Sequence, residues 1–386
     1  MDALLARVVD AMTSCMKLVF PRVRLLASTA AACSVALAVF ACSDPDTEVS
    51  PSGGSTPDAG NSPSTDGAPE PDAPTTGACS EIASACHPYD LGTGKPHDCH
   101  ELSHTGADES ACAAERAACL AACSPSAGTL DVQIRFAGMM GAEPFECGKK
   151  YASVGAEASP AEPIDFRFYV MNVLLVDEAG NDVPVALTPD GAFQTADVAL
   201  IDFEDKKGAC DNGTTQTNDV LRGKVPFGKY RGLAFTIGVP PALNHTDVAT
   251  APTPLNLTGM NWSWAMGRIF LVSGMRADTG NTDGGPATND HFVHIGSTGC
   301  TGTPEDGGAV SCTKPNRPTF RLPTFRPSAN VVTVDLAELM KEQNLATVMH
   351  GCHSFGAANC AKPFGHVGLD FETGQPTGTQ TVVKEK

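Results

Sequence analysis

From residue 129 onward, apolar and polar side chains alternate in short runs. The segment at 129–138, TLDVQIRFAG, puts Leu130, Val132, Ile134 and Phe136 on one side and polar or small residues on the other. That two-residue period is the signature of a half-buried strand. Further runs at 165–177, 183–189, 198–203, 230–239, 268–277, 291–296, 330–336 and 366–371 are short and rich in β-branched or aromatic residues. Each is bounded by Gly, Pro, Asn or Asp. Repeated strands of this kind, with one helix expected near Leu336 to Gln343, predict a sandwich or barrel. The pattern upstream differs. Cys112, Cys119 and Cys123 recur at intervals of seven and four, so they share one face of a helix over 109–122. Cys79 and Cys86 are seven apart on a shorter helical piece, and a loop is expected between the two helices. The expected fold class is an all-β sandwich or barrel with a small disulfide-stapled α-rich N-terminal module.

The N-terminus has the parts of an export signal. Lys17, Arg22 and Arg24 precede an apolar run at 25–40 that is too short for a comfortable membrane span. The run closes on Val39-Phe40-Ala41-Cys42, which resembles a bacterial lipobox with Cys42 as the lipidated first residue of the mature chain. Beyond Cys42 the chain carries acids, Pro, Gly, Ser and Thr, with no aromatic residue, Lys or Arg before residue 79. Such a segment cannot bury enough apolar surface to offset its ordering entropy. The expected division is 1–41 signal peptide, 42–78 disordered tether, 79–125 six-cysteine module, 129–372 β domain and 373–386 flexible tail. The expected location is the periplasm or cell surface, on a lipid anchor in a bacterial membrane, the outer one.

Composition sharpens this. The chain has 15 cysteines. Apart from Cys15, Cys33 and Cys42, six lie in the module (Cys79, Cys86, Cys99, Cys112, Cys119, Cys123) and six in the β domain. An even count beyond an export signal implies disulfides made in an oxidising compartment. Connectivity in the module is open. Proximity in the β domain suggests Cys147 with Cys210, Cys300 with Cys312, and Cys352 with Cys360. The net charge is −18, with no basic patch of the kind that binds a phosphate backbone, so nucleic acid is not an expected partner. There is no G-x-S-x-G elbow for a hydrolase and no C-x-x-C-H for a covalent haem. The Gly- and Asp-rich stretch at 279–290 reads as an exposed loop and lacks the regular acid spacing of a calcium site.

Candidate chemistry falls in two places. The module holds His87, His97, His100 and His104. His100 and His104 have the i, i+4 spacing that can chelate a metal on a helix, but no H-E-x-x-H glutamate accompanies them. The favoured reading is surface or capping histidines. In the β domain, the two tryptophans stand together in Met260-Asn261-Trp262-Ser263-Trp264, and on a strand they would face one side. His245 and His294 lie in nearby motifs. Met, His and Trp outside the cytoplasm suit a soft ion such as Cu(I), although Trp pairs and single Met residues are commonly core packing.

An ordered set of motifs adds to this: FECGKKY at 145–151, DFRFYVMNV at 165–173, LIDFEDKKGACDNGTTQTN at 200–218, YRGLAFTIGVPPALNH at 230–245, PLNLTGMNWSW at 254–264, HIGSTGC at 294–300, PNR at 315–317 and GCHS at 351–354. Together they resemble the MbnP family, the methanobactin-associated copper-binding proteins. The resemblance spans 129–372 and leaves out the cysteine module. It implies copper, as Cu(I) or Cu(II), held by His245 and His294 with Met260 in reserve. It implies that Trp262 or Trp264 is oxidised to kynurenine by a di-haem, MbnH-like partner of the MauG-like cytochrome c peroxidase class. On this reading the chain is a binder and a substrate of redox chemistry, not an enzyme. The alternative class is a structural or carbohydrate-binding surface lipoprotein with no metal.

Overall fold

The computed structural model describes residues 77–104, 108–263, 265–281, 287–302, 310–348, 350–355 and 358–386. The expected signal peptide, Cys42, nearly all of the tether, Trp264 and residues 282–286 of the Asp/Gly loop lie outside the described residues.

Two sheets pack face to face. The first has six strands: β1 (Thr129–Met140), β2 (Glu143–Pro144), β6 (Ala186–Leu187), β8 (Val220–Pro226), β17 (Val332–Asp335) and β19 (Val383–Glu385), in the order β19-β17-β1-β8-β6 with β2 also on β1. The second has nine: β3 (Tyr151–Val154), β4 (Ser159–Asp177), β5 (Asp182–Pro184), β7 (Ala199–Asp202), β9 (Tyr230–Ile237), β12 (Leu271–Asp278), β13 (Thr288–Ile295), β16 (Thr319–Leu322) and β18 (Cys352–His353). Its order is β16-β9-β4-β12-β13-β18, and β3, β5 and β7 also pair with β4. Two short ribbons complete the β structure, β10 (Asn261–Ser263) with β11 (Gly267–Arg268), and β14 (Thr298–Thr301) with β15 (Ser311–Lys314).

The alternation in β1 buries Leu130, Val132, Ile134, Phe136 and Met140. Phe136 meets Phe168 of β4 and Phe235 of β9, at ring-centroid distances of 6.0 and 5.6 Å. Phe145, Phe166 and Phe203 extend this aromatic layer. Phe166 and Phe168 thus turn one face of β4 toward the first sheet. By the two-residue period, Asp165, Arg167 and Tyr169 occupy the opposite face.

Among the described residues, six short helices accompany the sandwich: α1 (Ala78–Cys86), α2 (Gly94–His104), α3 (Glu109–Ala122), α4 (Pro241–Asn244), α5 (Leu336–Met340) and α6 (Ala361–His366). The first three form the module. Cys79–Cys112 and Cys86–Cys123 tie α1 to α3 and its C-terminal end, while Cys99–Cys119 ties α2 to α3. A unit this small has little core, so covalent staples carry much of its stability. The module is continuous with the sandwich. Leu91 joins the β-domain core, its carbonyl accepts from the Gln133 amide at 3.0 Å, and Tyr89 lies 4.3 Å from Phe227.

Several expectations need correcting. The loop expected between the module helices is the helix α2, which lacks an apolar stripe and is held by Cys99. The run at 366–371 is not a strand: α6 and a turn occupy it, and Leu369 makes only an isolated bridge to Pro376. Pro363 starts that turn, and Phe364, Val367 and Leu369 all point inward. The run at 183–189 breaks at buried Val185, where the chain passes from β5 on the second sheet to β6 on the first. The tail expected to be flexible ends in β19, because buried Val382 and Val383 cover the otherwise open edge of β17.

Candidate metal centre

The register of the second sheet lines up one row of residues. Asp202 on β7 opposes Arg167 on β4, Arg167 opposes Val272 on β12, Val272 opposes His294 on β13, and His294 opposes His353 on β18. Directly opposed residues share a sheet face, so this row runs across the face turned away from the phenylalanine layer. It puts two imidazoles side by side at its end. Their ring centroids are 4.6 Å apart and nearly perpendicular, at 85°.

His294 is the most unusual group in the row. The residue is half-buried, yet both ring nitrogens are shielded from solvent, and neither has a hydrogen-bond partner among the described residues. Burial, then the nearby His353 and Arg167 charges, depress its pKa to about 3. It is therefore neutral at any ordinary pH. An unpartnered buried nitrogen is unfavourable by roughly 1–3 kcal/mol unless something binds it. His353 is also held below its ordinary pKa, chiefly by burial. Two neutral imidazoles with lone pairs available fit a borderline or soft transition metal.

The short motif GCHS builds this end of the site. Gly351 has φ +67°, and a Cβ there would sit 2.0 Å from the Phe292 carbonyl oxygen, so only glycine lets β18 lie along β13. Cys352 bonds to Cys360 and anchors the strand. His353 supplies the ring. Ser354 locks the two strands: its hydroxyl donates to the His294 carbonyl at 2.9 Å and accepts from the Gly296 amide at 3.1 Å.

Trp262 lies next to the pair. A Cβ on Gly296 would fall 2.5 Å from Cζ3 of Trp262, so the indole edge rests on the backbone two residues beyond His294. The indole is half-buried and lies 4.5 Å from the Phe355 ring, which is 48% exposed.

The other expected site residues fall elsewhere. His245 follows α4 and is buried against the Cys300–Cys312 disulfide, with Nε2 3.4 Å from the Cys312 sulfur and 3.0 Å from Nδ2 of Asn244. The ring that meets His294 is thus His353, not His245. Met260 is wholly buried in the apolar core, where a thioether fills space. The remaining β-domain pairs suggested by proximity, Cys147 with Cys210 included, are bonded. His353 is the residue that sequence reasoning passed over as a ligand. The signal was there in GCHS, a His beside a cysteine.

Behind the histidines lies a buried charge cluster. Asp165 takes two hydrogen bonds from Arg167, one of them at 2.7 Å. Asp202 and Glu204 add negative charge without a second cation, and burial raises the Asp202 carboxyl to about 7. Its unfolded value is 3.8, so it favours folding below pH 4 and this contribution is lost as pH rises through 7. Asp202→Asn should therefore be more stable than the parent at pH 8, by on the order of 2 kcal/mol, and similar at pH 4. Denaturant unfolding at the two pH values checks this. An unchanged pH slope in the variant would show that Asp202 is not the titrating group.

Comparison with known proteins gives two findings. The MbnP family matches residues 129–354. Among solved structures, MbnP from Methylosinus trichosporium is similar at 31% identity with a TM-score of 0.59, over 67% of this chain and 98% of that one. No curated protein matches. The matched segment ends on Ser354, immediately after His353, and excludes the cysteine module.

Proposed function

Because this chain belongs to the MbnP family, we propose that it is an extracytoplasmic copper-binding protein with His294 and His353 as its imidazole ligands. The observation that carries this reading is the His294 ring, whose shielded nitrogens have no partner among the described residues, set against a second imidazole and beside Trp262. Copper suits such a pair, since imidazole nitrogen is a good ligand for both of its oxidation states. An unmodified indole adds only an N–H donor. Kynurenine would offer an aniline nitrogen and a carbonyl in its place.

The oxidation consumes an external oxidant. Two equivalents of peroxide open the indole ring, insert two oxygen atoms and leave two waters; hydrolysis then releases formate and leaves kynurenine. A di-haem peroxidase-like partner is the expected catalyst. Trp262, half-buried against an exposed Phe355, is within reach of a partner docked at this surface. The chain itself acts as binder and substrate. Peptide mass spectrometry over 259–268 should show kynurenine at Trp262 or Trp264 when the chain is made with its partner and given peroxide. Metal analysis of the same sample should show more copper than in protein made alone. Two intact tryptophans beside an active partner would return them to a packing role.

Anchoring belongs to the same proposal. With Cys42 diacylated, the protein fractionates with membranes, and Cys42→Ser should release it into the soluble fraction. Soluble, unlipidated parent protein would remove the anchor.

A further inference from the structure

The cysteine module carries a second cluster of imidazoles. His100 and His104 stand one turn apart on α2, and His87 opens the 3₁₀ turn His87–Tyr89 that follows α1. The three offer ligand nitrogens that all lie within 4.8 Å of one another. The rings of His100 and His104 are 4.3 Å apart, and those of His87 and His100 are 4.8 Å apart. Nδ1 of His87 is 2.9 Å from Nε2 of His100.

Two features set this cluster apart from surface histidines. First, two of the ligands follow disulfide cysteines directly: His87 comes after Cys86, bonded to Cys123, and His100 after Cys99, bonded to Cys119. The backbone under each ring is therefore covalently pinned, as a preorganised site requires. Second, a buried carboxylate stands behind the ring at the centre. Asp90 accepts from Nδ1 of His100 at 2.8 Å, from Nδ1 of His97 at 3.0 Å and from the Gly92 amide at 2.8 Å. A carboxylate on Nδ1 fixes the proton there and turns Nε2 of His100, with its lone pair, toward the cluster; metal-binding histidines are commonly oriented this way.

We propose that His87, His100 and His104 form a second metal site, a tri-imidazole site for a divalent first-row ion, Cu(II) or Zn(II), with Asp90 as its positioning residue. It lies outside the family match and does not rest on the copper reading of the β domain. Three imidazoles leave a coordination position for water or an incoming ligand. With three nitrogen donors and no thiolate, Cu(II) binds more tightly than Zn(II). In the metal-free protein the His87–His100 hydrogen bond takes the ion's place. Binding moves the proton on Nδ1 of His87 to its other nitrogen, so that both facing nitrogens present lone pairs.

The test uses the full chain with the β-domain pair silenced by His294→Ala and His353→Ala. Titration with copper(II) sulfate and separately with zinc chloride should show one equivalent bound per chain. The copper form should give an electron paramagnetic resonance spectrum with nitrogen couplings. His87→Ala, at an exposed position, should weaken Cu(II) binding by at least about 10-fold, and His100→Ala with His104→Ala by at least about 100-fold. Asp90→Asn, which can still accept from the Gly92 amide, should weaken it by about 10–100-fold. A thiol assay reading no free cysteine shows that the module is intact in each variant. Failure of the silenced chain to bind either ion overturns the proposal. So does unchanged titration of the His100/His104 variant with all disulfides intact.

Discussion

Alanine at His353 is expected to lower copper affinity in the β domain by at least about 100-fold, since even residues that only orient a metal ligand are worth about 10–100-fold. The two rings are held by different means. His294 sits within β13, its ring nitrogens shielded from solvent and its strand paired on both sides. His353 sits on a two-residue strand that depends on Gly351, the Cys352–Cys360 disulfide and Ser354. Removing the His353 ring leaves those supports in place, so the fold should survive while one of two imidazoles is lost. Competition with a Cu(I) chelator, using protein whose tryptophan has been oxidised, reads the change. His245→Ala, measured beside it, should have a far smaller effect, because His245 packs on the Cys300–Cys312 disulfide. The reverse ranking would restore His245 as the ligand.

Arg268→Met is expected to destabilise the β domain by about 3–5 kcal/mol, because it removes hydrogen bonds from a charged donor and leaves buried carbonyls short of a partner, each worth roughly 1–3 kcal/mol. Arg268 is fully buried on β11. Its Nε and Nη2 donate to the Leu255 carbonyl at 3.0 and 2.8 Å, and its Nη1 donates to the Leu243 and Asn244 carbonyls at 2.6 and 3.1 Å. It therefore joins α4 to the segment before Trp262 through the backbone carbonyls of Leu243, Asn244 and Leu255. Methionine fills similar space and satisfies none of them. Arg268 also opposes Asn261 in the ribbon that carries Trp262, so the indole should shift as well. Denaturant unfolding gives the stability change, and tryptophan fluorescence reports the shift. Arg268→Lys keeps the charge but not the planar fork, and should fall between the two. A loss under about 1 kcal/mol for Arg268→Met would mean that water replaces the guanidinium without strain.

Much of this molecule can be read from local pattern. The alternation of β1, the seven-and-four cysteine spacing of α3 and the helix expected near Leu336 are each contained within about a dozen residues, and the structure realises them. Local pattern also points to Cys300 pairing with Cys312 and Cys352 with Cys360, since short loops close readily. Where local pattern was thin, expectation failed. The helix α2 has no apolar stripe, and only its disulfide to α3 makes it a helix worth forming. The terminal strand β19 is three residues long with one valine; it exists because the edge of β17 is there to receive it.

The sequence by itself determined the β-rich class, the stapled helical module and the motifs in which the candidate ligands lie. It also marked His294 and the histidines of the module, but passed over His353. The tertiary structure alone decided which histidines meet. His294 and His353 are neighbours because β18 adds in parallel beside β13, a pairing made between distant segments and held by a glycine contact, a disulfide and a serine bridge. His87 joins His100 and His104 because α1 and α2 are both tied to α3. Spacing along a chain shows only which residues share an element, through the period of that element. A metal centre needs residues from different elements, and those are brought together by long-range pairing and packing that no short window of sequence contains.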